Sequence, residues 1–225
     1  MNRLWPVTLI ASCAFATSIY AAPIQGIQLD RTRVVIQDGQ TESLVGVGST
    51  LSVPSLVKTS FEALDGTPTD NFIAVPPLYR LESNQANRIR ILTVKALPTD
   101  RESVFYVKVV AYPGEKESGN SLRYGIGQRI KLFYRPKGID YDCKAAVEHL
   151  NWRFDRQTLT VNNPTKLSVS MTELQVGNQK IEATMVLPGQ SVSYKVNTGL
   201  RAGQALDFKY IDEFGATRVK RVVLE

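Results

Sequence analysis

Side chains able to carry covalent or metal chemistry are scarce in this chain. The sequence holds one histidine, His149, and two cysteines, Cys13 and Cys143. A serine relay needs a histidine beside a serine, with an acid to orient it, and nothing around His149 marks such a set. His149 stands near Trp152, a setting more common for a packed or surface imidazole than for a catalytic base. A zinc site needs several nitrogen or sulfur ligands converging at one point, which this inventory barely supplies. Gly46-Val47-Gly48-Ser49-Thr50 is superficially like a phosphate loop, but it lacks the third glycine, the lysine and a following helix. The residues therefore point away from an enzyme, from a metal and from a cofactor. What is left is the chemistry of the backbone itself, strand pairing.

The stretch best equipped for it is residues 120–136, NSLRYGIGQRIKLFYRP. Leu122, Tyr124, Ile126, Ile130, Leu132 and Tyr134 share one parity, broken by Gln128. Arg123, Gly125, Gly127, Arg129, Lys131 and Arg135 share the other, broken by Phe133. A period of two is the signature of a strand. Strands usually run about 5–6 residues; at ~3.3 Å per residue this one would reach roughly 40 Å. One half is expected in the protein's own core and the other half to overhang it. An exposed apolar strand edge is an aggregation hazard unless another chain covers it. Parity alone leaves open a long bent strand internal to one sheet.

Hydrophobic residues make up 43% of the chain and charged ones 21%, a globular composition. The net charge is +6, but the basic residues are scattered and never run longer than two, which argues against nucleic acid. Residues 1–21 read as a secretory signal: Arg3, then an uncharged apolar run, then Tyr20 and Ala21. Cleavage is expected after Ala21, because cleavage after Ala22 would leave Pro23 next to the cut. Cys13 departs with the signal, so the mature chain keeps only Cys143 and no internal disulfide. No later segment is apolar for long enough to span a bilayer.

The rest of the chain supplies the scaffold. Strands are expected at residues 27–36, 42–47, 56–61, 72–75, 87–94 and 104–111, with turns at Asp38-Gly39 and at residues 65–68. Strand 42–47 is expected to pair back on 27–36, and Pro76-Pro77 can hold a cis bond. A linker near 137–140 precedes a second series at 152–154, 158–161, 167–174, 183–186, 191–196, 205–211 and 217–224. No amphipathic helix stands out. Short strands punctuated by turn residues indicate β-sandwiches. The expected layout is all-β: a signal at 1–21, a first domain at 22–137 that contains the long strand, and a second domain at 138–225.

Three blocks carry a family resemblance: LDRTR at 29–33, FIAVPPLYRLE at 72–82, and DRESVFY at 100–106 joined to RIKLFYRP at 129–136. LTVNNPT at 159–165 and YIDEFGA at 210–216 add weaker echoes. Together the chain resembles the PapD-like periplasmic pilus (fimbrial) chaperones. That resemblance implies two immunoglobulin-like β-sandwich domains set at an angle around a cleft. It implies a periplasmic, ATP-independent chaperone that completes unfinished pilus subunits by donor-strand complementation and delivers them to an outer-membrane usher. By the match, Leu122, Tyr124 and Ile126 would enter the subunit's groove. Arg33 and Lys131 would bind the subunit's C-terminal carboxylate, and Glu102, Arg135 and Glu213 would fix the angle between domains. Arg31 shares the parity of Arg33, yet the match assigns the clamp to Arg33.

Some positions depart from the pattern. Glu213 stands where an aspartate is usual, Phe61 replaces a tryptophan, and Gly48 or Ser49 an asparagine. Tyr124 is bulkier than the usual aliphatic donor, and Gly125 and Gly127 make the segment pliant. The short loop before it, without a flanking cysteine pair, fits the short-loop subgroup that serves rod-like pili. Self-association of the free protein stays open. The rival function is a secreted two-domain structural or adhesive pilus component, which should carry a donor-type N-terminal extension and an incomplete last strand.

Overall fold

The computed structural model describes residues 25–37, 40, 42–114, 124–139, 143–197, 200–201 and 203–224. The signal at 1–21 with its cleavage point, Leu122, the turn at Asp38-Gly39 and part of the linker lie outside these residues. In the first half the strands are β1 (Ile27–Leu29), β2 (Arg33–Gln37), β3 (Glu42–Ser49), β4 (Ser55–Glu62), β5 (Phe72–Val75), β6 (Leu78–Leu81), β7 (Ala86–Thr93), β8 (Ser103–Pro113) and β9 (Ile126–Arg135). A short helix, α1 (Cys143–Glu148), opens the second half. There follow β10 (Asn151–Asp155), β11 (Thr158–Asn162), β12 (Met171–Val176), β13 (Gln179–Glu182), β14 (Ser191–Lys195), β15 (Ala205–Ile211) and β16 (Thr217–Val223).

Each half stacks two sheets around its own apolar core. The first half orders β1-β3-β7-β5 in one sheet and β2-β9-β8-β4-β6 in the other. Alternation places Val34, Ile36, Val45, Val47, Val57, Ile89, Ile91 and Leu132 between them, all fully buried. The second half packs β10-β11-β14 on β13-β12-β15-β16, with Leu159, Leu174, Leu206 and Phe208 inside. The Trp152 ring closes that core against Phe208, with centroids 5.2 Å apart. The Val75–Pro76 bond is cis.

Residues 27–36 do not form one strand. The chain breaks at Asp30–Thr32 and crosses between sheets: β1 ladders with β3 from Ile27↔Ser49, while β2 runs parallel to β9 from Arg33↔Lys131. The core positions shift parity across this break, from Ile27 to Val34 and Ile36. Strand 42–47 accordingly pairs with β1 and β7, and not with the 33–36 portion. α1 is a helix where none was expected. Six residues are too few to show a helical period, and a helix this short depends on tertiary packing, here supplied by buried Ala146 and Val147. The expected strand at 183–186 reduces to a single bridge, Val169↔Val186.

The long strand is shorter than its parity suggested: regular pairing begins at Ile126. β9 ladders with β8 from Ala111↔Ile126 to Ser103↔Tyr134, but with β2 only from Lys131 onward. Among the described residues, Ile126 to Ile130 therefore have a paired edge on one side and an open one on the other. Beneath this stretch the side chains of β8 crowd the glycines. A Cβ on Gly127 would lie 2.7 Å from the Val109 carbonyl oxygen and 2.8 Å from Val110 Cγ2, and one on Gly125 would lie 2.9 Å from Tyr112 Cε1.

Phe208→Ala should cost about 3–5 kcal/mol, read from urea unfolding, because the ring is fully buried and sits between Trp152 and Tyr210.

Candidate functional site

Parallel pairing places Arg33 and Lys131 as direct neighbours on adjacent strands, so their side chains share one face of the five-stranded sheet. That face is turned toward the second half of the molecule. Arg33 lies over the Phe133 ring, its guanidinium carbon 5.3 Å from the centroid, and Arg33 Nη1 donates to the Ile211 carbonyl at 3.4 Å. Arg33 Nε is buried without a hydrogen-bond partner. Among the described residues neither Arg33 nor Lys131 is ion-paired, whereas Arg31 is tied to Asp30 at 2.9 Å. That difference separates the two arginines, which sequence parity could not.

Two unpaired cations side by side should depress each other's basicity. Burial, and then the positive charge of Arg33, hold the Lys131 amine below the ordinary lysine value. Burial likewise lowers Arg33, although Cys143, Asp212, Glu102 and Glu213 act in the opposite sense. The pair is a basic site with unused donors, suited to a carboxylate that would form charge-assisted bonds to both.

The orientation residues converge beside it. Arg135 Nε donates to Glu102 Oε2 at 2.9 Å, and Arg135 Nη1 pairs with Glu213. Glu102 Oε1 accepts the Ser168 N–H at 3.0 Å, and the Glu102 N–H donates to the Lys166 carbonyl. Glu102 and Arg135 are almost wholly buried, so this bonding links the two halves in a region of low dielectric. The sheet face at Phe133 and Arg135 is thus covered by the second half, which explains the parity break at Phe133. Sequence reasoning missed the Ile211 carbonyl, the Ser168 N–H and the Thr32–Gly215 contact, where a Cβ on Gly215 would collide with the Thr32 hydroxyl. The block 210–216 was the signal nearest to them.

Of the expected groove residues, Tyr124 is 68% exposed and Ile126 38% exposed; Leu122 lies outside the described residues. Tyr124 and Gly125 precede β9 and are not in regular strand. His149 is exposed, with Nδ1 2.7 Å from the Ala145 carbonyl. Burial pushes the Cys143 thiol up to about 11, which disfavours the reactive thiolate. Among the described residues no group of three or more acidic, histidine or cysteine side chains could hold a metal.

Two sandwiches joined through a basic cleft, one of them with an open strand edge, define a two-domain immunoglobulin-like β-sandwich protein. Residues 26–140 match the family described as pili and flagellar-assembly chaperone, PapD N-terminal domain, and residues 145–221 match the pili assembly chaperone PapD, C-terminal domain. The Escherichia coli chaperone protein FocC is 34% identical over 206 residues, 88% of this chain and 90% of that protein. FimC of Escherichia coli K12 is 33% identical over 201 residues, 87% of this chain and 83% of its own length. Among solved structures, that of the Salmonella enterica SafA pilin in complex with the SafB chaperone aligns with a TM-score of 0.80 at 29% identity, covering 91% of this chain and 99% of the other. The chain belongs to the PapD-like family of pilus-assembly chaperones.

In a side-chain amine NMR titration, Lys131 should titrate below the exposed lysines. Its folded value lies under the unfolded one, so keeping it charged costs stability at neutral pH, and that cost shrinks once pH passes the lowered value and is gone at the ordinary lysine value. Arg33→Gln should move Lys131 upward only part of the way, because burial is the larger cause.

Proposed function

We propose that this protein is a periplasmic chaperone that lends the upstream part of β9 to an unfinished pilus subunit, anchors the subunit's C-terminal carboxylate on Arg33 and Lys131, and delivers it to an outer-membrane usher. The carrying observation is where the open edge of β9 ends. It stops at the Arg33↔Lys131 pair, because β2 occupies the edge beyond. A strand added upstream of β2 must therefore finish against two cations. Running parallel to β9 it brings its carboxylate there; running antiparallel it would bring an ammonium into a repulsive site.

The energetics suit capture. Tyr124 and Ile126, together with Leu122, have the parity to enter an apolar groove. Each large apolar side chain buried contributes roughly 1.5–3 kcal/mol. The clamp adds charge-assisted bonds of ~1.5–3 kcal/mol each and fixes register, since a slip of one residue would turn every donor side chain to the wrong face. Glu102, Arg135 and Glu213 act as orientation residues. Residues 1–21 act as the export signal and 22–137 as the strand-lending domain; 138–225 forms the far wall of the cleft. The rival function, a structural or adhesive pilus component, calls for an unfinished last strand, but β16 pairs with β15 from Ala205↔Val223 to Ile211↔Thr217.

Arg33→Ala and Lys131→Ala should each leave a folded protein that no longer co-purifies a co-expressed pilus subunit; normal recovery with both variants would overturn the clamp. Ile126→Asp should weaken capture at least tenfold without shifting the thermal unfolding midpoint of the free protein, since the side chain is partly exposed. Global unfolding would place it in the protein's own core.

A further inference from the structure

The turn between β15 and β16 carries a phenylalanine with no role in the fold. Phe214 is 92% exposed, although the turn that presents it is stiff. Asp212 Oδ1 accepts the backbone N–H groups of Phe214 at 3.0 Å and Ala216 at 2.8 Å, while Asp212 Oδ2 accepts from Arg218 Nε at 2.9 Å. Asp212 N–H donates to the Ala216 carbonyl, and Gly215 N–H to the Asp212 carbonyl. Gly215 takes a φ of +86° and sits against Thr32, the residue before Arg33. A large aromatic side chain on a pre-ordered backbone is inexpensive to use as an anchor, because little conformational freedom remains to be lost.

Phe214 also walls a cavity of about 390 Å³ together with Tyr210, Cys143, Lys144, Asp212, Glu213 and Arg218. The cavity adjoins the cation pair: the Ile211 carbonyl that receives Arg33 Nη1 leads directly into Asp212, and Asp212 and Glu213 are close enough to favour the charged form of Arg33. Its acids have partners of their own, Asp212 with Arg218 and Glu213 with Arg135. The two acids and two bases of the lining balance in charge, and the exposed Phe214 ring stands beside the largely buried Tyr210, so the site favours an apolar side chain over a charged one.

We infer that the Phe214–Tyr210 cavity is a second recognition point for the subunit, taking a large apolar or aromatic side chain from one of its last two residues. This rests on the clamp described above. Once a terminal carboxylate is held at Arg33 and Lys131, strand alternation turns one of the last two side chains toward the second half of the molecule. Phe214 then reads what the clamp cannot, since a carboxylate is the same on every chain. The site adds selectivity at the subunit's end to the pockets filled by the lent strand.

The test uses synthetic 15-residue peptides of alternating Val and Ser. They carry Phe in the last place, Phe in the next-to-last place, or Ala in both, each as free acid and as amide, and binding is measured by fluorescence anisotropy. One of the two Phe peptides should bind the wild-type protein roughly tenfold more tightly than the Ala peptide. Phe214→Ala should erase that advantage and keep the preference for acid over amide, and Phe214→Tyr should retain both. An advantage that survives Phe214→Ala, or no advantage in the wild-type protein beside an intact acid preference, overturns the cavity's role. No acid preference in the wild-type protein beside an intact Phe advantage would overturn the clamp and, with it, the assignment of the cavity to the subunit's last two residues.

Discussion

β2 joins β9 only from Lys131 onward, and the character of the cleft follows from that partial ladder. The chain crosses from one sheet to the other at Asp30–Thr32, so the portion of the first strand that would otherwise flank Ile126 to Ile130 is committed to β3. The edge left behind is the kind that soluble proteins normally shield. Its end is marked by Arg33, the first residue of β2, beside Lys131. Edge, stopping point and charge thus share one cause, a strand divided between two sheets.

The second half of the molecule makes that arrangement effective. It covers Phe133 and Arg135, receives Arg33 on the Ile211 carbonyl, and thereby keeps the cations partly out of water. A charge in such a place interacts more strongly with an incoming anion than the same charge on an open surface. Burying charge is costly. For Arg135 the cost is offset by Glu102 and Glu213, whereas Arg33 and Lys131 lack any such partner among the described residues. The contrast separates a joint from a binding site: the first satisfies its charges internally, and the second leaves them for another molecule.

Much of this was legible in the residues. Parity identified Ile130, Leu132 and Tyr134 as inward-facing, and all three pack on the first core. The shift from odd core positions at Ile27 to even ones at Val34 and Ile36 held the strand break in plain view, but apolar residues at both ends of the stretch let it pass as one strand. The neighbouring of Arg33 and Lys131 could not be read from spacing, since it depends on a parallel pairing between distant strands; only the resemblance to a family supplied it. α1 escaped because six residues hold less than two helical turns. The Phe133 exception made sense only once a second domain was placed over it.

The crowding beneath Gly125 and Gly127 bears on how such a protein could change its clientele. Any side chain at either place would have to displace Tyr112, Val110 or the backbone at Val109, so drift is penalised on one face of the segment and tolerated on the other. Variation in the described part of the segment is left to Tyr124 and Ile126. A lineage acquiring a different client would be expected to rewrite alternate letters of the segment and leave those between them untouched.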